Sequence, residues 1–232
     1  MAHNWISLAE LSVQLGRDRR EVEKLANRGR IPGQKRDNVW RFHEAEIAGW
    51  LESELRTLSD GELAGVEAGQ GSDLLDAAAP LTTLLTPQTC DAHLPGKTRR
   101  STLESLVEVA GRTYHVWEPA TLLSAVMERD ELCSTAHEGG VAIPHPRSPL
   151  PEILGEPVVA FGRVVGGVPF GAPDGGLTDL FFLVACRDAR THLQVLARLG
   201  RMLKLEDFRM QLRAAETDEE AYEVIAAAEA AV

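Results

Sequence analysis

The chain has 232 residues, of which 44% are apolar and 25% charged, the profile of a globular protein with one large or two small domains. No apolar run approaches the roughly 20 residues of a membrane helix, and no basic leader followed by an apolar stretch opens the chain. The three scattered cysteines, Cys90, Cys133 and Cys186, form no metal or redox motif and read as small apolar core residues of a cytoplasmic protein.

The formal charge of −11 speaks against nucleic-acid binding by the chain as a whole, yet the charge is unevenly spread. Residues 17–41 hold nine bases and four acids, a net +5, whereas residues 59–232 hold 14 bases and 26 acids, a net −12. Residues 1–58 are expected to form the first module. Ser7-Leu8-Ala9-Glu10 is a capping box that opens a helix with Leu8, Leu11 and Leu15 on one face. Gly16 stops it. Asp18 to Glu21 then opens a second helix with Val22 and Leu25 facing inward. Gly29 to Pro32 ends that helix, and Gln34 to Phe42 reads as a hairpin turning at Asp37-Asn38. His43 to Leu55 is a closing helix with Ile47, Trp50 and Leu51 at helical spacing.

Two short helices joined by a glycine turn form a helix-turn-helix, and the basic hairpin beside it is a wing. The segments Ser7 to Leu11, Leu15-Gly16, Arg28 to Pro32, Trp40 to Phe42 and Ile47 to Leu51 resemble the excisionase/MerR-type winged helix-turn-helix. The resemblance covers about residues 4–55. It implies DNA contacts from the second helix (Arg19, Arg20, Lys24, Arg28) and from the wing (Lys35, Arg36). The stretch Lys24 to Asn27 departs from that family, where an aromatic-plus-basic pair is common. So small a reader offers few base contacts, so tight binding calls for a homodimer or a tandem site.

Residues 59–80 are rich in glycine, alanine and acid and read as a linker. Residues 81–232 alternate helical and strand patterns, giving an overall α/β (α+β) expectation: a winged helix-turn-helix, then a mixed β-sheet flanked by helices. In the second module, Val141-Ala142-Ile143 is a short strand ending at His145, which lies between Pro144 and Pro146. Proline restricts itself and its predecessor, so the imidazole is presented from a stiff loop. A neutral imidazole so held suits a nucleophile. Gly139 and Gly140 let backbone N–H groups approach phosphate oxygens. Thr191 to Gln194 has the capping-box pattern, with Thr191 as N-cap. That sets His192 in the first turn of a helix carrying Leu193, Leu196, Leu199 and Leu203, where a helix N-terminus favours anions. An arginine is expected to balance the remaining anionic charge bidentately, and Arg129 by itself reads as a cap on the helix Leu122 to Glu128.

His145 within Gly140-Val141-Ala142-Ile143-Pro144-His145 resembles the phosphorylation site of enzyme IIA domains of the fructose/mannitol and nitrogen-regulatory class. Arg129-Asp130, Ser134-Thr135, Gly171 to Gly175, the strand Leu180 to Val184 and His192-Leu193 follow in that family's order. The resemblance covers about residues 81–232. It implies phosphoryl transfer from an HPr-like phosphocarrier onto His145, with Arg129 and His192 supporting the phosphohistidine. Pro146 stands where the family has a small residue, and His137-Glu138 and Asp130 also depart from it, placing an extra ring and acid near the site. The combined expectation is a phosphotransferase-system regulatory protein coupled to DNA binding. The alternatives are a sugar-uptake enzyme IIA that passes phosphate to an enzyme IIB, and an unphosphorylated module that binds other regulators. No cofactor and no metal site is indicated by motif.

Overall fold

The computed structural model describes residues 5–71, 79–205 and 207–232. A short strand, β1 (Trp5–Ser7), leads into helix α1 (Leu8–Gln14) through a reciprocal cap. The Glu10 N–H donates to the Ser7 hydroxyl at 3.2 Å, and the Ser7 N–H donates to the Glu10 carboxylate at 2.7 Å. Gly16, at φ 59°, turns the chain in a conformation that glycine adopts without strain. Asp18 then caps α2 (Arg19–Asn27) by accepting from the Arg20 N–H at 2.8 Å. Strands β2 (Gln34–Arg36) and β3 (Val39–His43) form the expected hairpin. Asp37 and Asn38 sit at its tip with φ of 48° and 65°, as a two-residue hairpin turn of the primed kind requires. Strand β1 adds to the free side of β3, and α3 (Glu44–Glu54) closes the module with Ile47 and Leu51 buried. This is the winged helix-turn-helix read from the sequence.

Residues 60–70 differ from the linker expectation. They form a helix, α4 (Asp60–Gln70), capped by Ser59 and Glu62, with Leu63 and Val66 buried. The composition misleads because its glycines serve packing. A Cβ at Gly69 would lie 2.1 Å from the Val13 carbonyl oxygen, and one at Gly16 would lie 2.4 Å from that of Gly65, so α4 and the end of α1 meet backbone to backbone. The rest of the expected linker, residues 72–78, lies outside the described residues.

The second module is a five-stranded mixed sheet in the order β4-β7-β8-β6-β5, built from β4 (Cys90–Asp91), β5 (Ala136–His137), β6 (Val141–Ala142), β7 (Val158–Val168) and β8 (Thr178–Ala185). The long pair β7–β8 is antiparallel, while β4–β7 and β6–β8 are parallel. Both faces are apolar and alternate with period two. Leu180, Phe182 and Val184 turn to one side, and Phe181, Leu183 and Ala185 to the other. Helices α5 (Arg99–Gly111) and α6 (Pro119–Leu132) contribute to the core on the second side. On the first side lie α7 (Ala189–Met202), α8 (Phe208–Ala214) and α9 (Asp218–Ala230), in one apolar cluster that also contains the winged-helix core.

Helix α4 joins the two modules. On α7, the buried Arg198 guanidinium pairs with the buried Glu67 carboxylate, and Arg201 reaches the same carboxylate at 2.9 Å. Two smaller expectations are also corrected. Helix α7 begins at Ala189 with Asp188 as N-cap, because the Asp188 carboxylate accepts from the Thr191 N–H at 2.8 Å and from its hydroxyl at 2.7 Å. Thr191 is therefore inside the helix, not its cap. Of the cysteines, Cys90 and Cys186 are buried as expected, but Cys133 is exposed.

Candidate functional site

His145 lies just past β6, at the edge of the sheet where α3, α6 and α7 converge. The chain after β6 stays anchored to β8, since the Val184 N–H donates to the Pro144 carbonyl at 3.0 Å. The Nδ1 atom of His145 lies 2.7 Å from the Ile143 carbonyl oxygen. A carbonyl only accepts, so Nδ1 carries the hydrogen and the neutral ring keeps its lone pair on Nε2. His192, one turn into α7, places its ring centre 5.0 Å from that of His145 at an interplanar angle of 55°. Its own N–H is already engaged with the Asp188 carbonyl at 3.3 Å, so only the side chain is free to serve the site. Arg129 caps α6, one of its two expected readings. Its Nη1 donates to the Cys133 carbonyl at 2.9 Å, capping α6, and the rest of the guanidinium faces the histidines.

The group that unites these three was not among the expected residues. Glu52, on α3 of the winged helix, inserts its carboxylate between them. Its Oε1 accepts from Arg129 Nε at 3.1 Å and from Nη2 at 2.5 Å, and lies 3.0 Å from His145 Nε2. Its Oε2 lies 3.8 Å from His192 Nε2. The histidine contacts are electrostatic and not aligned hydrogen bonds, so both ring nitrogens are buried without a directed partner. The imidazole expected on a stiff loop is also covered, with His145 only 4% exposed. Burial alone raises the Glu52 carboxyl, but the contacts with His145, His192 and Arg129 outweigh it and hold it far below the ordinary carboxylate range. Burial pushes the His192 ring down, against an opposing pull from Glu52.

A cavity of about 1640 Å³ opens beside this cluster, between α3 and the second module. Arg56, His137, Glu138, Arg147 and Arg209 face it, so the His137-Glu138 departure does add a ring and an acid here. Arg56, another residue the sequence did not single out, donates across the same boundary to the carbonyls of Ser134 at 3.0 Å and Ala136 at 3.3 Å. Two expected contributors are elsewhere. Asp130 accepts from the Thr135 N–H and hydroxyl at 2.8 Å and pairs with Arg99 at 3.3 Å, as a buried strut under the loop. Gly139 and Gly140, at φ 80° and 84°, shape a turn against Asp179 and Arg213, and the Gly139 N–H is taken by Asp174 at 3.2 Å. Neither glycine lines the cavity beside His145.

Arg19, Arg20 and Lys24 on α2, Arg28 at its C-cap, and Lys35 and Arg36 on β2 are all exposed. Lys35 and Arg36 each lie 5.8 Å from an aromatic ring centre, that of Trp40 and Trp5 respectively. None of the six lines the cavity. Among the described residues no helix is long and apolar enough to cross a membrane.

The fold and pocket define an enzyme IIA-type α/β domain behind a helix-turn-helix module. Residues 83–228 match the family described as phosphoenolpyruvate-dependent sugar phosphotransferase system, EIIA 2, and the chain belongs to that family. Residues 5–54 match a helix-turn-helix domain family. A nitrogen regulatory protein of Pseudomonas aeruginosa is 31% identical over 152 residues, covering 62% of this chain and 94% of that protein. A fructose-specific EIIABC component of Bacillus subtilis is 29% identical over 147 residues, covering 62% of this chain. The match spans only 23% of that longer protein. Among solved structures, the nitrogen regulatory protein IIA-Ntr of Neisseria meningitidis superposes with a TM-score of 0.56 at 24% identity, over 61% of this chain and 96% of that one. At that identity the likeness speaks for the fold.

Proposed function

We propose that the chain is a phosphorylation-responsive regulator, in which His145 accepts a phosphoryl group from an HPr-like phosphocarrier and the winged helix reports that event at DNA. The observation that carries this is Glu52: a carboxylate of the DNA-binding module occupies the place where Arg129, His192 and the bare Nε2 of His145 converge. In the transfer, the Nε2 lone pair attacks phosphorus, the donor's N–P bond breaks, and the electron pair returns to the donor histidine. Nδ1 keeps its proton, and the Ile143 carbonyl steadies the charge that develops on the ring. Arg129 balances the phosphoryl oxygens, and His192 donates to one of them.

A phosphoryl group of roughly −1.5 to −2 charge and the Glu52 carboxylate exclude each other from one small pocket. Phosphorylation therefore displaces α3. The six DNA-facing cations are exposed while α3 is docked, so the change reaches DNA through the placement of the winged helix and not by uncovering its reading surface.

The test is intact-mass spectrometry, under non-acidic conditions, of the protein incubated with phosphoenolpyruvate, enzyme I and HPr. One phosphate adduct on the wild type and none on His145→Ala is the expected result. A gel shift with and without phosphorylation then reads the coupling. Absence of an adduct leaves an interaction module that keeps the fold without the transfer. An adduct with unchanged DNA affinity leaves a phosphate carrier serving an enzyme IIB or another recipient.

A further inference from the structure

We propose that Glu52, His145 and His192 form a binding site for a divalent transition-metal ion, with Zn²⁺ the best-suited class, and that the ion bridges the winged helix to the second module. One donor atom from each residue lies within 4.8 Å of the others. The set is two imidazole nitrogens and one carboxylate, the donor chemistry that suits zinc and its neighbours and not magnesium or calcium.

The geometry asks for a cation. The Ile143 carbonyl fixes the hydrogen of His145 on Nδ1, so the neutral ring turns a lone pair toward Glu52 Oε1 at 3.0 Å. At that distance the two lone pairs repel unless a cation, a proton or a metal ion, stands between them. His192 Nε2, also buried and without a directed partner, faces the second carboxylate oxygen. Protons answer these contacts ring by ring, whereas one metal ion takes all three donors at once. The carbonyl behind His145 and the Arg129 guanidinium behind Glu52 Oε1 are the outer contacts that orient metal ligands and fix a tautomer. Arg129 also brings a positive charge, which sets a limit on affinity. Bonds of about 2.0–2.2 Å set donors roughly 3.3–3.6 Å apart, so the most widely spaced pair closes by at most about 1.5 Å. The adjoining cavity supplies water for the remaining position.

Because Glu52 comes from one module and both histidines from the other, the ion forms only in the docked arrangement and holds it. It also takes the lone pair needed for attack on phosphorus, so metal and phosphoryl group compete for Nε2. That consequence rests on the phosphoryl-acceptor reading, whereas the binding itself does not.

The full chain, stripped with a chelator, is titrated with Co²⁺ while visible ligand-field absorption is followed, and Zn²⁺ is then added as competitor. The expected result is one Co²⁺ per chain with a low-coordinate spectrum that Zn²⁺ abolishes. Glu52→Gln and His192→Gln each weaken binding at least about tenfold, with circular dichroism unchanged. His93→Gln and His115→Gln bind as the wild type does. No absorption from the wild type, or equal binding by Glu52→Gln and His192→Gln, overturns the site. Phosphorylation measured in chelator is independent of that outcome and judges the acceptor reading by itself.

Discussion

Glu52 is the residue on which the two modules meet, and its removal has a calculable sign. If His145 is phosphorylated only when α3 leaves the pocket, the rate scales with the undocked fraction. Glu52→Gln keeps the shape but removes the charge that Arg129 and the two rings hold. Loss of about 1.4 kcal/mol of docking corresponds to about a tenfold faster phosphorylation, read by timed intact-mass spectra with excess phosphorylated HPr in chelator. An unchanged or slower rate means that Glu52 does not gate the histidine. The neighbouring rings set the pH dependence. Burial first, then Arg56 and His145, push the His137 ring from 6.5 down to about 4, and burial pushes His192 down as well. Both titrate near 6.5 once the chain unfolds, so below that pH the unfolded state binds protons that the folded state refuses. Stability therefore falls as pH drops from 6.5 toward about 4. Glu52, held low when folded, adds its own loss as pH falls below 4.5. Thermal melts in chelator give a lower Tm at about pH 5 than at about pH 7.5, and His137→Gln flattens part of that difference. Equal Tm values at both pH settings contradict the burial of neutral rings.

At the scale of elements, α4 decides whether the chain is two modules on a tether or one body. Glu67 is shared by Arg198 and Arg201 of α7 and is 6% exposed. Glu67→Ala removes the buried carboxylate that Arg198 and Arg201 share and is expected to cost about 3 kcal/mol, seen as a lower midpoint in chemical denaturation. A midpoint within error of the wild type means the pair is solvated. The helix also marks where the sequence stops being legible. The Ser7 and Asp18 caps, the Asp37-Asn38 turn and the alternation along β8 are local patterns, and each survives in the structure because its cause lies within a few residues. The choice of Asp188 over Thr191 as cap is nearly local, since both side chains can open a helix and Asp188, three residues earlier, takes the N–H and hydroxyl of Thr191 itself. The orientation of α4, by contrast, is set by backbone contacts at Gly16, Gly65 and Gly69, and glycine for close packing looks like glycine for flexibility. The site divides in the same way. His145, Arg129 and His192 were readable from the residues around them. Glu52 and Arg56 were not, because a charged residue on an amphipathic helix reads as a solvated face until the partner that covers it is known.

Over the whole molecule, a net +5 segment sits on a strongly acidic remainder, and the six exposed cations do not line the histidine cavity. If they contact DNA phosphates, each contact removed lowers the slope of log affinity against log salt by about 0.9. Lys24→Glu with Arg28→Glu is expected to weaken binding at low salt and flatten that slope by about two contacts' worth, with phosphorylation of His145 unaffected. An unchanged slope assigns the basic face to another partner. The coupling between the two events has a mechanical constraint. Helix α3 moves with the winged helix, and α4 is packed at once on α1 and on α7, so α3 cannot leave His145 as a free hinge. Expelling it loads α4. Hydrogen exchange of the phosphorylated protein should therefore show faster amide exchange in α3 and along Asp60–Gln70, while β7 and β8, whose ladders belong to the sheet interior, keep their protection. Loss of protection confined to the His145 loop would mean that the phosphoryl group fits beside Glu52, and the winged helix would then be indifferent to it. Loss spreading through α4 makes that helix the element that carries the signal from the histidine to the winged helix.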